Sequence, residues 1–191
     1  MPRVRALTLP TTAPRPPSRP RPGGRGATCL PKRGNILLAA TFAVVFITLY
    51  TGHQVGDHWV QSSCQSARKG MSGRAGRWAC TKHVSTLTLT KALLLLPAAL
   101  VLDLHLTATG LLLGLAVDAG THWWADRRTT LAWLAKVTGK SEFYGLGADV
   151  VDTSTPEDGI TGRHLGRGSY ALDQSFHVLW LFVAALIIAA V

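Results

Sequence analysis

Long apolar runs separated by polar, basic segments constrain the fold of this chain more than any other feature. Hydrophobic residues make up 47% of the 191 residues and charged residues 16%, against roughly 25% charged residues in soluble domains. Of the twenty Lys and Arg residues, eight lie in the first 33 positions and eleven in two later polar segments. Among them, Lys91 alone interrupts an apolar run. This distribution is typical of a polytopic membrane protein, whose connecting loops hold the charge.

The apolar runs predict an all-α fold, a four-transmembrane-helix bundle over residues 35–191. Helix one starts in NILLAATFAVVFITLY and continues in helical phase through TGHQVGDHWVQ. Helix two has a polar first half and an apolar second half, which contains Pro97. Gly110 and Gly114 of helix three have the spacing of small residues that permits close helix packing. The predicted helices span about 36–61, 83–104, 108–126 and 170–191.

The connecting segments are predicted to be mostly loop. Residues 62–82 are basic and contain Gly and Ser. The segment from Arg127 to Gly168 holds one amphipathic piece, TTLAWLAKV, with Leu131, Leu134 and Val137 on one face. Such a pattern predicts a short helix lying along the membrane interface.

Residues 1–34 are predicted to form a disordered basic tail, because they are rich in Pro, Arg and Gly and have no apolar period. An over-extended gene start would also explain this segment. The net charge of +10 is not arranged as a basic stripe or a zinc-finger spacing, so nucleic acid is an unlikely partner. Membrane lipid, with its anionic headgroups facing the basic loops and tail, is the expected partner.

Three cysteines do not define a disulfide framework or a metal motif. Cys64 and Cys80 share one polar segment and would be able to pair in an oxidising compartment, which would leave Cys29 over. Two reduced thiols are an equally good interpretation.

Histidines and aspartates recur at one-turn spacing near the ends of the predicted helices. His53-x-x-x-Asp57 lies near the end of helix one, and His122-x-x-x-Asp126 lies at the end of helix three. Asp173-x-x-x-His177 opens helix four in the reverse order, and His83 opens helix two. Residues four apart share a helix face. Because the helices alternate in direction, these ends all lie at one membrane face, where we expect the side chains to converge.

Ionisable side chains persist in lipid when they face one another, water or a metal. Imidazole and carboxylate suit Zn, Mn or Fe(II). The candidate metal ligands are His53, Asp57, His83, His122, Asp126, Asp173 and His177. Asp118 is expected to orient His122. Lys91, which lies on roughly the same helix face as His83, is the rival neutraliser of the carboxylates.

The motifs LYTGHQVGDHWVQ, THWWADRR, SEFYGLGA and GSYALDQSFHVLWLFVAAL resemble those of small bacterial and phage membrane proteins known as domain of unknown function 3307, in particular actinobacterial members. The resemblance covers about Phe42 to the C-terminus and excludes the tail. It implies a compact helical membrane protein with an HxxxD, a second HxxxD and a DQxxH motif. These map onto His53 and Asp57, His122 and Asp126, and Asp173, Gln174 and His177. The resemblance implies a fold, and no established activity comes with it.

Three functions remain open from the sequence. The leading hypothesis is a divalent-metal site in a membrane-embedded, metal-dependent hydrolase, with His53, His122 and His177 binding the ion. The aspartates Asp57, Asp126 and Asp173 are the further ligands and candidate catalytic residues. Transport of cations or protons, or a structural module tied together by its polar cluster, would use the same residues. Whether the protein is an enzyme is therefore open. We expect a multi-pass protein of the cell membrane, with the cluster at the cytoplasmic face and the N-terminus outside.

Overall fold

The computed structural model describes residues 33–147, 150–151, 160–161 and 167–191, with side chains described over 34–147 and 167–191. The predicted disordered tail lies outside these residues, apart from Arg33 and Gly34, which begin the first helix. Cys29, and most of the predicted loop between residues 148 and 166, also lie outside them.

The regular secondary structure of the described residues consists of helices and one pair of two-residue strands. The strands β1 (Val150–Val151) and β2 (Ile160–Thr161) are antiparallel, with Val150 opposite Thr161. The helices are α1 (Arg33–Val55), α2 (Ser63–Arg68), α3 (Gly73–Val101), α4 (Ala108–Asp126), α5 (Thr129–Val137), α6 (Ser141–Gly145) and α7 (Gly168–Ala190). A π-helical turn, Gly56–Val60, continues α1, and Gln61 caps its end in an extended conformation.

The ends of α1 with its π turn, of α4 and of α7 lie within three residues of the predicted ends, whereas α3 begins well before its predicted start. Its first residue is Gly73, not a residue near 83, and the helix ends at Val101. The basic residues of this first stretch project outward while Gly76 and Cys80 are buried, so the segment is an amphipathic helix extension. The backbone continues as a helix through Pro97.

Short helices occupy part of the predicted loops. In α2, Ser62 Oγ accepts a hydrogen bond from the Gln65 backbone N–H at 3.2 Å, and the Gln65 side chain accepts from the Ser62 N–H at 2.8 Å. This capping box satisfies two N–H groups at the start of α2. In α5 the buried residues are Leu131 and Ala135, whereas Val137 is exposed. The buried face of α5 therefore includes Leu131, as predicted, but it turns toward Ala135 and excludes Val137.

The four long helices follow one another around a bundle in the order α1, α3, α4, α7. Helix α1 contacts α3 and α7, and α4 contacts the same two helices. Glycines permit the closest approaches. A Cβ on Gly114 would lie 2.4 Å from Ile188 Cγ1 of α7, and a Cβ on Gly52 would lie 2.9 Å from the Lys91 Cα of α3. The predicted close packing through Gly110 and Gly114 therefore joins α4 to α7.

Apolar side chains fill one half of the bundle and also cover its outside. The core comprises Val45, Leu49, Leu95, Leu181, Ala184, Ala185 and Ile188. Large apolar residues also face outward, among them Leu93, Leu112 and Phe182. Three helical segments, Gly34–Val60, Gly73–Val101 and Gly168–Ala190, are long and apolar enough to cross a membrane. The chain is thus compatible with a membrane protein.

Candidate metal centre

The structure brings all seven predicted ligands to the same end of the bundle. Helix α1 supplies His53, and its π turn supplies Asp57. A π turn inserts an extra residue into the helical repeat and often occurs at functional sites. The other helices supply His83 from α3, His122 and Asp126 from α4, and Asp173 and His177 from α7.

Four of these residues form a compact inner set. His83 Nε2 lies 2.9 Å from Asp57 Oδ1 and 3.4 Å from Asp126 Oδ2. His122 Nε2 lies 3.9 Å from the same Asp57 oxygen and 3.2 Å from the same Asp126 oxygen. The two Nε2 atoms are 3.3 Å apart. Asp57, His83 and His122 thus form a group of three whose ligand atoms lie within 4.8 Å of one another, and Asp126 contacts both histidines of this group.

The distances among these atoms lie around the spacing expected of ligands in a metal site. Ligand bonds of about 2.0–2.2 Å place neighbouring ligand atoms of a tetrahedron roughly 3.3–3.6 Å apart. Five of the six distances within the inner set run from 2.9 to 3.9 Å. Asp57 Oδ1 and Asp126 Oδ2 are buried and make no hydrogen bond of acceptable geometry among the described residues. Since a buried carboxylate oxygen normally has a partner, these two oxygens favour a shared cation.

The second oxygen of each inner carboxylate contacts another side chain. Asp126 Oδ1 pairs with Lys69 Nζ at 2.8 Å, and Asp57 Oδ2 accepts a hydrogen bond from Gln174 Nε2 at 3.4 Å. Such contacts orient carboxylate ligands in metal sites. They leave Asp57 Oδ1 and Asp126 Oδ2 directed at the imidazoles. The Nδ1 atoms of His83 and His122 have no hydrogen-bond partner among the described residues, so no second bond fixes the tautomers.

His177, His53 and Asp173 surround the inner set. The His177 ring stacks on the His122 ring with centroids 3.9 Å apart. Together with His122 and Asp126, His177 forms a second group of three whose ligand atoms lie within 4.8 Å of one another. His53 Nε2 is 3.8 Å from Asp57 Oδ2. Asp173 Oδ1 is 3.5 Å from His177 Nε2, and its side chain is 23% exposed.

Asp118 and Lys91 form an ion pair of their own. Lys91 Nζ donates to Asp118 Oδ2 at 2.6 Å, and both side chains are buried. The expectation that Asp118 orients His122 is therefore replaced by a pairing with Lys91. Among the described side chains, Lys69 contacts the inner carboxylates and Lys91 pairs with Asp118, so Lys91 does not neutralise the inner carboxylates.

A cavity of about 590 Å³ leads from the cluster to the surface. Its wall includes Asp57, Asp126 and Asp173, together with the exposed residues Arg128 and Tyr170. On the opposite side of the cluster lie the Lys91–Asp118 pair and then the apolar core. Access to the candidate site is therefore from the cluster end of the bundle.

Two residues of this site, Lys69 and Arg128, were not predicted from the sequence, and a third, Gln174, was not predicted to contact the cluster. Lys69 follows α2 in a segment interpreted as a basic loop, and no local pattern points to its partners. Arg128 follows α4 directly and lines the cavity. Gln174 entered through the resemblance, and it also lies within hydrogen-bonding distance of His53 at 3.4 Å. Cys64 and Cys80, by contrast, are both free thiols.

Neither a protein-family model nor a curated protein nor a solved structure matches this chain. The resemblance to domain of unknown function 3307 therefore stays a prediction, and the functional argument depends on the geometry.

Proposed function

We propose that this protein is a multi-pass membrane protein that binds a divalent transition metal and uses it for hydrolysis. The observation that carries the proposal is the convergence of two groups of three, Asp57, His83 and His122 and also His122, Asp126 and His177, whose ligand atoms lie within 4.8 Å of one another in each group. Zn, Mn and Fe(II) all accept this combination of imidazole and carboxylate.

The charge of the inner set supports a cation. Asp57 and Asp126 share one ammonium group, that of Lys69, so one lysine faces two carboxylates. A divalent ion would neutralise this charge and bridge carboxylates that otherwise repel each other. In this arrangement His83 takes the place that the sequence hypothesis gave to His53. His177 remains available as a further ligand.

Helix α4 is proposed as the fourth span. Its polar residues Asp118, His122 and Asp126 lower its overall hydropathy, but all three are buried inside the bundle. The outward positions of the same helix include Leu112 and Leu113. A helix that buries its polar side chains against neighbouring helices and presents Leu to the outside suits a lipid environment.

Access from one end of the bundle favours hydrolysis over transport. Transport would need a path past the Lys91–Asp118 pair and the apolar core. A bound metal would activate water as a nucleophile, and Asp173, which lines the cavity, is the carboxylate proposed to accept its proton. A purely structural cluster is the alternative that the experiment must exclude.

Elemental analysis of the detergent-purified protein tests the proposal. We expect about one equivalent of Zn, Mn or Fe, and loss of that metal in His83→Ala, His122→Ala and Asp126→Asn. The matched controls are His105→Ala and Asp103→Asn, since both residues are exposed in the turn between α3 and α4. Cobalt loading provides a readout independent of stability, because tetrahedral Co(II) gives intense visible absorption. A folded wild-type protein that carries no metal and ignores chelators contradicts the proposal.

A further inference from the structure

Arg128 lies in a strained backbone conformation beside the cavity. Its φ is 57° and its ψ is −48°, and the Thr129 N–H donates to the Arg127 carbonyl across it. This is a γ-turn of the rare, strained kind. A non-glycine residue with such a backbone costs on the order of 1–3 kcal/mol and is found mainly at functional sites. An arginine in this conformation is a candidate for a functional side chain.

The guanidinium of Arg128 is anchored at the cavity wall. Its Nη2 donates to the Ser66 carbonyl at 3.1 Å, and its aliphatic part lies against Gly70, where a Cβ would approach Arg128 Cδ to 2.6 Å. A guanidinium has five N–H donors in a planar fork, so the anchor leaves donors for a second acceptor. The side chain is thus positioned before any ligand arrives.

The N-terminus of α7 faces the same cavity. Ser169 and Tyr170, in the first turn of this 23-residue helix, line the wall. The first N–H groups of a helix have no partner within it, and the helix dipole makes this end attractive to anions. The first turn of α7 contains no acidic residue.

The cavity therefore combines a candidate metal centre at its base with positive groups around its opening. Lys69, Arg128 and Arg167 all line it. Its acidic lining residues are those of the metal cluster, Asp57, Asp126 and Asp173. Lys69 is paired with Asp126 at 2.8 Å, so Arg128 is the cation of this wall whose described contact leaves N–H donors for an incoming ligand. A planar arginine fork beside a helix N-terminus suits a phosphate group in particular.

We infer that the cavity binds the phosphate group of a phosphate ester, with Arg128 as the residue that holds the phosphate oxygens. This inference rests on the proposed function, because it names the substrate class of the same site. Leu131 and Leu146 on the cavity wall provide apolar contact for the rest of the ester.

Binding of radiolabelled inorganic phosphate to the purified, full-length protein tests the inference. Equilibrium dialysis is carried out on the same samples whose metal content is measured. We expect saturable binding by the metal-bearing wild type and about tenfold or greater weakening in Arg128→Gln. Arg74→Gln is the control, since Arg74 is an exposed arginine that lines a different surface depression.

Arg128→Gly separates binding from folding. Glycine relieves the γ-turn strain, which offsets the lost contacts of the side chain with Ser66 and Gly70, so this variant should stay about as stable as the wild type and still lose phosphate. Metal-bearing protein that binds no phosphate, or Arg128 variants that bind it as well as the wild type, overturns the inference and leaves the proposed metal site standing. A wild type without metal overturns both.

Competition distinguishes two sources of the phosphate group. Displacement of label by glycerol 3-phosphate in detergent, without displacement by phosphatidic acid in nanodiscs, supports a soluble ester. The reverse result supports a lipid headgroup. Failure of both compounds to compete contradicts a phosphate-ester site.

Discussion

Replacement of Lys91 by Met should destabilise the protein strongly without removing its metal. The ammonium lies 2.6 Å from Asp118 Oδ2, and the two side chains are 0% and 4% exposed. At this separation the attraction is about 6 kcal/mol for an effective dielectric constant of about 20. Desolvation of both ions offsets much of this attraction. Removal of one partner leaves the other charge buried and unpaired, which costs about 3–5 kcal/mol.

A double-mutant cycle isolates the pair. Lys91→Met and Asp118→Val each leave one buried charge, whereas the double variant leaves none and keeps most of the packing volume. We expect each single variant to lose about 3–5 kcal/mol and the double variant to lie within about 1 kcal/mol of the wild type. Lys136→Met, at an exposed position of α5, should stay within about 0.5 kcal/mol.

Unfolding by SDS in mixed micelles, followed by helical circular dichroism in the presence of a chelator, gives the free energies. Elemental analysis of the same variants gives the metal content. A Lys91→Met variant as stable as the wild type would show that the ion pair contributes little. Loss of metal from folded Lys91→Met would refute the separation of this pair from the metal centre.

Two further predictions concern packing and topology. Gly114→Ala should destabilise the α4–α7 interface by about 1–3 kcal/mol in SDS unfolding, because its Cβ would lie 2.4 Å from Ile188 Cγ1 and 2.8 Å from the Ala184 carbonyl oxygen. The control is Gly120→Ala on the same helix, whose Cβ would meet nothing within 4 Å. The same assay should show that this variant is stabilised by roughly 1 kcal/mol. In a Cys29→Ser background, a membrane-impermeant maleimide should label exposed Cys64 only after cells are permeabilised, because the basic loops favour the cytoplasmic side. The control is His105→Cys combined with Cys64→Ser, which moves the reactive thiol to the opposite end of the bundle and should be labelled in intact cells. Labelling of Cys64 in intact cells would contradict the proposed topology.

The helical periodicity of the polar residues predicted where the site forms. Spacings of four placed His53 with Asp57, and His122 with Asp126, on common faces, and the alternation of helix direction placed these pairs at one end. These expectations depend on local geometry, which sequence spacing specifies well. The Gly110 and Gly114 spacing likewise predicted a close helix contact, though the partner helix came from the fold.

The sequence does not specify how each helix is rotated about its axis or which distant residues form pairs. Lys69 and Asp126 are separated by more than fifty residues, and their contact depends on how α2 folds back beside the bundle. The start of α3 was missed because Arg74, Arg77 and Lys82 resemble loop residues in composition. In the structure they project from the exposed face of a helix. Composition reports solvent exposure, and exposure alone does not distinguish a loop from the polar side of a helix.

The Lys91–Asp118 pair shows how this fold satisfies charge when no ion is needed. There, one cation meets one anion at 2.6 Å. One helical turn away, at His122, the arrangement is different: two inner carboxylates share Lys69, and the oxygens Asp57 Oδ1 and Asp126 Oδ2 have no hydrogen bond among the described residues. A structural cluster would be expected to satisfy those oxygens, because an unsatisfied buried polar group costs about 1–3 kcal/mol and more when charged. The other oxygen of each carboxylate is held by Lys69 or Gln174, so the unsatisfied oxygens are also the oriented ones. Two carboxylates that share one ammonium group, and whose oriented oxygens face imidazole nitrogens at 2.9 and 3.2 Å, favour a metal ion over a hydrogen-bonded plug.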